Sequence, residues 1–293
     1  MKDVYLQSLL VIMVLLAGCR ASVAECPKIS GGHKVGKVEA AVIIEASGIA
    51  ASRRNAGVLW VHNDGGPACV YALNKEGKLL GTYNLAGARV NNWEDIAIGP
   101  GPDANTDYLY VGDTGDNNIR RKKITVYRVA EPNGIDVNQK AVTVNVGGVE
   151  AIEMVYPDGP KDAETLIVDP ITKDIYVISK ENPGRIYRAA SPQTTKGKMA
   201  LEYVGKLPFG TATGGDISRD GRMIIVRNYF DAYIWMRPKD GPMWKAFEGE
   251  GCKAKLIIEP QGEAICFDAN GAGYYTTSEH KHQAIYYFGI EKK

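Results

Sequence analysis

The sequence of 293 residues predicts an all-β fold built from one multi-stranded unit that recurs five times. Three observations predict it. Short apolar segments return at a near-constant spacing, turn-forming residues stand between them, and no 3.6-residue apolar stripe follows the N-terminal segment. The recurring unit has three clear parts. A first strand carries a small or acidic marker at Gly48, Glu94, Glu164, Gly215 and Glu263. A second strand follows, reading Leu59-Trp60-Val61, Leu109-Tyr110-Val111, Ile175-Tyr176-Val177, Ile224-Ile225-Val226 and Tyr274-Tyr275-Thr276. A third strand is centred on an aromatic residue, at Tyr71, Tyr127, Tyr187, Trp235 and Tyr286.

Each element follows from local chemistry. Hairpin turns are expected at Asn74-Lys75-Glu76-Gly77, Pro170-Ile171-Thr172-Lys173, Arg219-Asp220-Gly221 and Asp268-Ala269-Asn270-Gly271. A fourth, outer strand is expected at Leu79–Leu85, at Val142–Val146 with Ile152–Tyr156, at Leu201–Leu207 and at Lys255–Ile258. The last unit ends too soon for one, and Val38–Glu45 at the front is the spare strand that would complete it. Five four-stranded units closed by an N-terminal strand describe a β-propeller. A six-bladed alternative holds if the stretch from Glu131 to Lys161 contains a degenerate blade. The expected domain is a single propeller over residues 35–293.

Composition sets limits on partners. Thirty-five Lys and Arg against 34 Asp and Glu give a net charge of +1, and no basic stripe interleaves with aromatics. Nucleic acid is therefore not the expected partner. Leu9 to Ala17 is apolar but too short to span a bilayer, and reads as a signal-peptide core. Two cleavage readings compete: Ser22-Val23-Ala24, giving a signal peptide of residues 1–24, or Leu16-Ala17-Gly18-Cys19, giving a lipoprotein signal of residues 1–18 with Cys19 lipidated. Both place the mature chain outside the cytosol, secreted or lipid-anchored to the cell envelope. Beyond Cys19 there remain Cys26, Cys69, Cys252 and Cys266, which suit an oxidising compartment and allow three disulfide pairings.

The motifs Trp93-Glu94-Asp95-Ile96-Ala97-Ile98, Asp162-Ala163-Glu164-Thr165-Leu166 and Pro260-Gln261-Gly262-Glu263-Ala264-Ile265 carry a resemblance. They resemble the blades of secreted or periplasmic propellers of the TolB-like, NHL-like and phytase-like groupings. The resemblance implies the propeller and does not imply one activity, because propellers host hydrolases, lyases and binding proteins.

Topology gives the candidate site an address. The start of each first strand and the end of each second strand lie on one face of a propeller, so their polar residues share one mouth of the central channel. Glu94, Glu164 and Glu263 occupy one column there, and Gly48 and Gly215 interrupt it. Carboxylates converging on an axis repel unless a hard cation relieves them, which makes Ca2+ the expected cofactor. Resemblance to calcium-bearing phytase-like and gluconolactonase-like propellers points the same way. Asp95, Asp113 and Asp116 are further candidate ligands, the last two within Asp113-Thr114-Gly115-Asp116-Asn117-Asn118, which lacks the terminal glutamate of an EF-hand loop. Lys180, Arg227 and Asn228 are candidate ligand-binding residues for a polar or anionic small molecule, and Trp93 is placed to stack on it. His62 and His280 are the candidate proton carriers if the metal assists hydrolysis of the phosphoesterase or lactonase kind. The rival readings are a non-catalytic scaffold with a protein partner at the blade loops, and a carbohydrate-active lyase or lectin-like protein. The aromatic column is expected to pack between blades.

Overall fold

The computed structural model describes residues 25–291, so both cleavage readings and Cys19 lie outside the described residues. Five sheets form the body, antiparallel except for one parallel outer strand each in blades 1 and 2. Their innermost strands are Ala46–Ala51, Asp95–Pro100, Ala163–Val168, Gly214–Ile217 and Gly262–Phe267. Each packs against the next in chain order, and the last against the first, which closes a five-bladed propeller. The only helical element among the described residues is one six-residue 3-10 turn, Met243–Glu248.

The alternation of a β-strand explains how the blades adhere. In blade 1 Trp60 pairs with Ala72 while its neighbour Val61 pairs with Tyr71, so the two aromatics point to opposite faces of the sheet. Trp60 joins the core shared with blade 2, and Tyr71 the core shared with blade 5. The same division holds around the ring: Tyr127, Tyr187 and Trp235 each pack toward the preceding blade. Tyr286 lies partly buried against the core between blades 4 and 5. The aromatic column is thus packing between blades. Burial of each large apolar side chain contributes about 1.5–3 kcal/mol, so five such interfaces dominate the stability.

The outer strands depart from expectation in four places. Val142–Val146 does not belong to blade 2; it runs parallel to Leu79–Leu85 as a fifth strand of blade 1. Glu150–Val155 is the outer strand of blade 2, and Lys198–Ala200 adds to it in parallel. Residues 131–161 therefore supply sheet edges and no sixth blade. In blade 4 the outer strand is Cys252–Ala254, not Lys255–Ile258, because the 3-10 turn uses up the preceding chain and leaves 255–261 to cross to blade 5. The closing strand is His33–Lys37, paired with Ala284–Gly289, rather than Val38–Glu45. Residues 38–45 are needed to carry the chain from the rim of blade 5 to the axis of blade 1, and Val38 and Ile43 are buried on the way.

Of the four cysteines, Cys26 and Cys252 form a disulfide that ties the N-terminal segment to the rim of blade 4. Cys69 and Cys266 are buried thiols.

Candidate functional site

The mouth column begins with a backbone irregularity. In blades 3 and 5 the register slips between Ala163 and Thr165 and between Gly262 and Ala264. The skipped residues are Glu164 and Glu263, and a β-bulge of this kind re-aims a side chain that a regular strand would hold in line. Blade 1 slips in the same place, between Ala46 and Gly48. Its member of the column is therefore Ser47, not Gly48, and Ser47 Oγ donates to Glu279 Oε1 at 3.0 Å. Blade 4 keeps a regular register, Gly215 opposite Val226.

Three acids meet at the blade 2–blade 3 side of the mouth. One carboxylate oxygen each of Glu94, Asp162 and Glu164 lies within 4.8 Å of the others. The loop after the second strand of blade 2 walls this cluster. Thr114 Oγ1 donates to Ala163 O at 2.6 Å, and the Asp116 amide donates to Asp162 Oδ1 at 2.7 Å. A Cβ on Gly115 would lie 2.0 Å from Glu94 Oε1 and 2.1 Å from Asn92 Nδ2, so any larger residue here must displace the Glu94 and Asn92 side-chain ends. Asn92 Nδ2 donates to Glu94 Oε1 at 2.5 Å. Glu164 Oε1 pairs with Lys180, whose ammonium sits 5.5 Å from the Tyr229 ring centre. Glu164 Oε2 is buried without a hydrogen-bond partner among the described residues. Gln261 Nε2 bridges Glu263 and Glu279.

The electrostatics follow from burial. Desolvation, with the charges of Glu164, Asp162 and Glu263, pushes the Glu94 carboxyl up to about 10 against the pull of Lys180. Burial pushes Glu263 up to about 9, helped by its hydrogen bond with Glu279. Glu164 rises to about 7, since burial outweighs its ion pair with Lys180. Without a cation, the cluster holds protons at neutral pH instead of full charge.

Several candidate residues sit elsewhere or are already engaged. Asp95 is fully buried and accepts the amides of Ile96 and Leu166 at 2.9 Å and of Gly215 at 3.3 Å; it pins three blades and has no oxygen to spare. Asp113 is held by Arg121, Asn91 and the Asn92 amide. Asp116 Oδ2 caps the amides of Arg120 and Arg121. These three aspartates shape the mouth and do not line the acid cluster. Arg227 is buried in an ion pair with Glu259 at 2.7 Å, and Asn228 Oδ1 accepts the amides of Phe230 and Asp231 in a turn. Both are engaged within the fold. Trp93 is fully buried in the core between blades 1 and 2, its Nε1 donating to Arg89 O, so it offers no stacking surface. His62 is likewise fully buried, and desolvation lowers its pKa to about 4. His280 is exposed on the turn next to Glu279.

Two contributors were not singled out as ligands or supports in the sequence. Asp162 stands two residues before the bulged Glu164, and Tyr229 lies in a turn with no strand pattern. A fourth raised acid also appears at this mouth: burial and the neighbouring Glu45 carboxyl push Asp64 up to about 6.

No family model matches the chain. No curated protein matches it either. Among solved structures, the WD40 repeats of RRP9 are similar with a TM-score of 0.45 and 8% identity, over 90% of this chain and 100% of that one. U3-55K is similar with a TM-score of 0.42 and 8% identity, over 87% of this chain and 98% of that one.

Proposed function

We propose that this propeller is a binding protein whose central mouth holds a divalent cation of the calcium type, and through it an oxygen-rich small ligand. One observation carries the reading: the Glu94, Asp162 and Glu164 oxygens converge within 4.8 Å around a buried carboxylate oxygen that has no partner. Five carboxylates, those of Glu94, Asp162, Glu164, Glu263 and Glu279, face one paired cation, Lys180, in this group. Calcium takes six to eight oxygen ligands in adaptable geometry, so three protein carboxylates leave positions for a ligand's hydroxyl or carboxylate oxygens. The donor set is all oxygen, which suits this ion better than zinc or copper.

Binding is favoured over hydrolysis because one of the two candidate proton carriers is withdrawn and the other, His280, is exposed and not a member of the acid cluster. His62 is enclosed and neutral, so it neither reaches a substrate nor holds a proton near pH 7. Burial of Trp93 removes the platform that a lectin-like reading needs. Export to an oxidising compartment is part of the proposal; the Cys26–Cys252 disulfide supports it, alongside the N-terminal apolar run. Cys19 lipidation would then be an anchor, with the mouth free to face solvent.

The test is a thermal melt with calcium and with chelator. At calcium one hundred times its Kd, the stabilisation is about 2.7 kcal/mol. A chain of this size shifts by about 2–4 °C per kcal/mol, so Tm should rise by roughly 5–11 °C. The rise should disappear in Glu164→Gln. An unchanged Tm in calcium and chelator alike refutes the site.

A further inference from the structure

The face opposite the acidic mouth holds a cavity whose charged lining residues are mainly cations. There the hairpins after the first strands of blades 1, 4 and 5 come together with the turn after the third strand of blade 1. They enclose a cavity of about 280 Å3 lined by Ser52, Arg53, Arg54, Lys75, Arg219 and Asn270, with Asp268 as its one carboxylate. Four cations therefore share a small space with a single acid.

The partners of these groups decide what is left to bind. Asp268 is occupied within its own turn: Oδ1 accepts the Asn270 amide at 2.8 Å, and Oδ2 accepts the Tyr275 hydroxyl at 3.4 Å. Lys75 approaches that carboxylate at 3.7 Å and lies 5.6 Å from the Tyr275 ring centre. Arg53 has a side chain only 5% exposed and reaches Asp107 at 3.3 Å. Arg54 and Arg219 are exposed and have no carboxylate within ion-pair distance among the described residues. The aspartate next to Arg219 does not answer it, because Asp220 accepts from Ser218 Oγ and faces Arg222 at 3.9 Å.

We infer that this cavity is a second binding site, for a small molecule bearing a diphosphate or a comparable cluster of phosphate oxygens. Guanidinium groups present paired N–H donors that match the tetrahedral oxyanion, and several of them around one cavity suit a multiply charged head better than a single carboxylate. The volume admits such a head and excludes a folded partner. A neighbouring cavity of about 450 Å3 shares Arg219, Ala269 and Asn270 and adds Ser218, Asp220, Met223 and Gly271. It gives room for the organic remainder of a phosphate ester.

The test is calorimetric titration of the full chain with pyrophosphate at low ionic strength. Saturable one-to-one binding is expected, weakened at least ~10-fold in Arg54→Ala/Arg219→Ala and weakened by added salt. Both arginines are exposed, so the variant should melt with the wild type, and Glu164→Gln at the other mouth should bind pyrophosphate unchanged. Citrate, of similar charge, should bind more weakly. Absence of saturable binding to the wild type, or equal affinity in the arginine variant, overturns the site. Citrate binding as tight as pyrophosphate overturns the phosphate assignment.

Discussion

Replacing Asp95 by asparagine exchanges one oxygen for an NH2 group and should destabilise the ring at its axis. The Asp95 carboxylate accepts three amides from three blades: Ile96 on Oδ1, Leu166 and Gly215 on Oδ2. Burial pushes its pKa up, and the three amides oppose that by favouring the ionised form. An asparagine has one oxygen to offer. If that oxygen takes the Oδ2 place, its NH2 faces the Ile96 amide; if it takes the Oδ1 place, the NH2 faces two amides. Either way at least one buried backbone donor loses its acceptor and the new NH2 gains none. Each such group costs about 1–3 kcal/mol, so the loss is about 2–6 kcal/mol. At about 2–4 °C per kcal/mol, the Tm should fall by roughly 4–24 °C. Calorimetry or urea unfolding of Asp95→Asn beside Asp95→Ala reads this directly. The alanine variant, which leaves all three amides without an acceptor, should be destabilised at least as much as the asparagine variant. An asparagine variant within about 1 kcal/mol of the wild type refutes the pin, since it would show that the carboxylate is not receiving these amides.

Two further outcomes follow from buried charge. Arg227→Met leaves Glu259 buried and unpaired, with both side chains only 1% exposed in the wild type, and should cost about 3–5 kcal/mol; Arg227→Met/Glu259→Met should recover most of it in urea unfolding, and an equally unstable double variant would show that the pair is not the cause. In chelator, stability should fall as pH rises from about 6.5 to 8. Glu94 and Glu263, raised to about 10 and about 9, keep protons in the fold that the unfolded chain has already released, and each proton kept costs up to about 1.4 kcal/mol per pH unit. His62 does not interfere there, because its depressed pKa removes stability only as pH falls from about 6.5 through about 4. Urea unfolding of Glu94→Gln should show a shallower slope, and a flat wild-type profile would count against the protonated cluster.

The blades were legible because inter-blade positions obey two local rules at once. A second-strand centre such as Trp60 must face one neighbour and a third-strand aromatic such as Tyr71 the other, so period and residue type repeat together. The outer strands obey neither rule. Val142–Val146 alternates as Val-Thr-Val-Asn-Val, which marks a strand, but it is exposed along most of its length, so nothing in that pattern assigns it to blade 1. The site was half legible for a related reason. Glu94 and Glu164 stood in a column that really does reach one mouth, but a bulge adds a residue without leaving a mark in the sequence, which is why Ser47 was missed for Gly48. Arg227 was misplaced because its partner, Glu259, lies 32 residues away, and only the folded ring shows that the guanidinium is already spent.

The break in the acid column has a structural cause that also positions the site. Blade 4 carries glycine where blades 2, 3 and 5 carry glutamate, and a Cβ on Gly215 would lie 2.8 Å from Ile225 O and 2.9 Å from Thr165 Cγ2. Only a bare backbone lets blade 4 approach blade 3 this closely. That approach is what brings the Gly215 amide to Asp95 Oδ2, across the axis from blade 2. The residue before Asp95 is Glu94, and the Leu166 amide in blade 3 belongs to the strand that bulges at Glu164. The tie through Asp95 therefore fixes the starts of the two strands whose glutamates converge. A fourth glutamate at position 215 would add a charge and remove the contact that aligns the other two. The asymmetry of the ring is thus a condition for the cluster, and it concentrates the acids on blades 2 and 3 instead of spreading them around the channel.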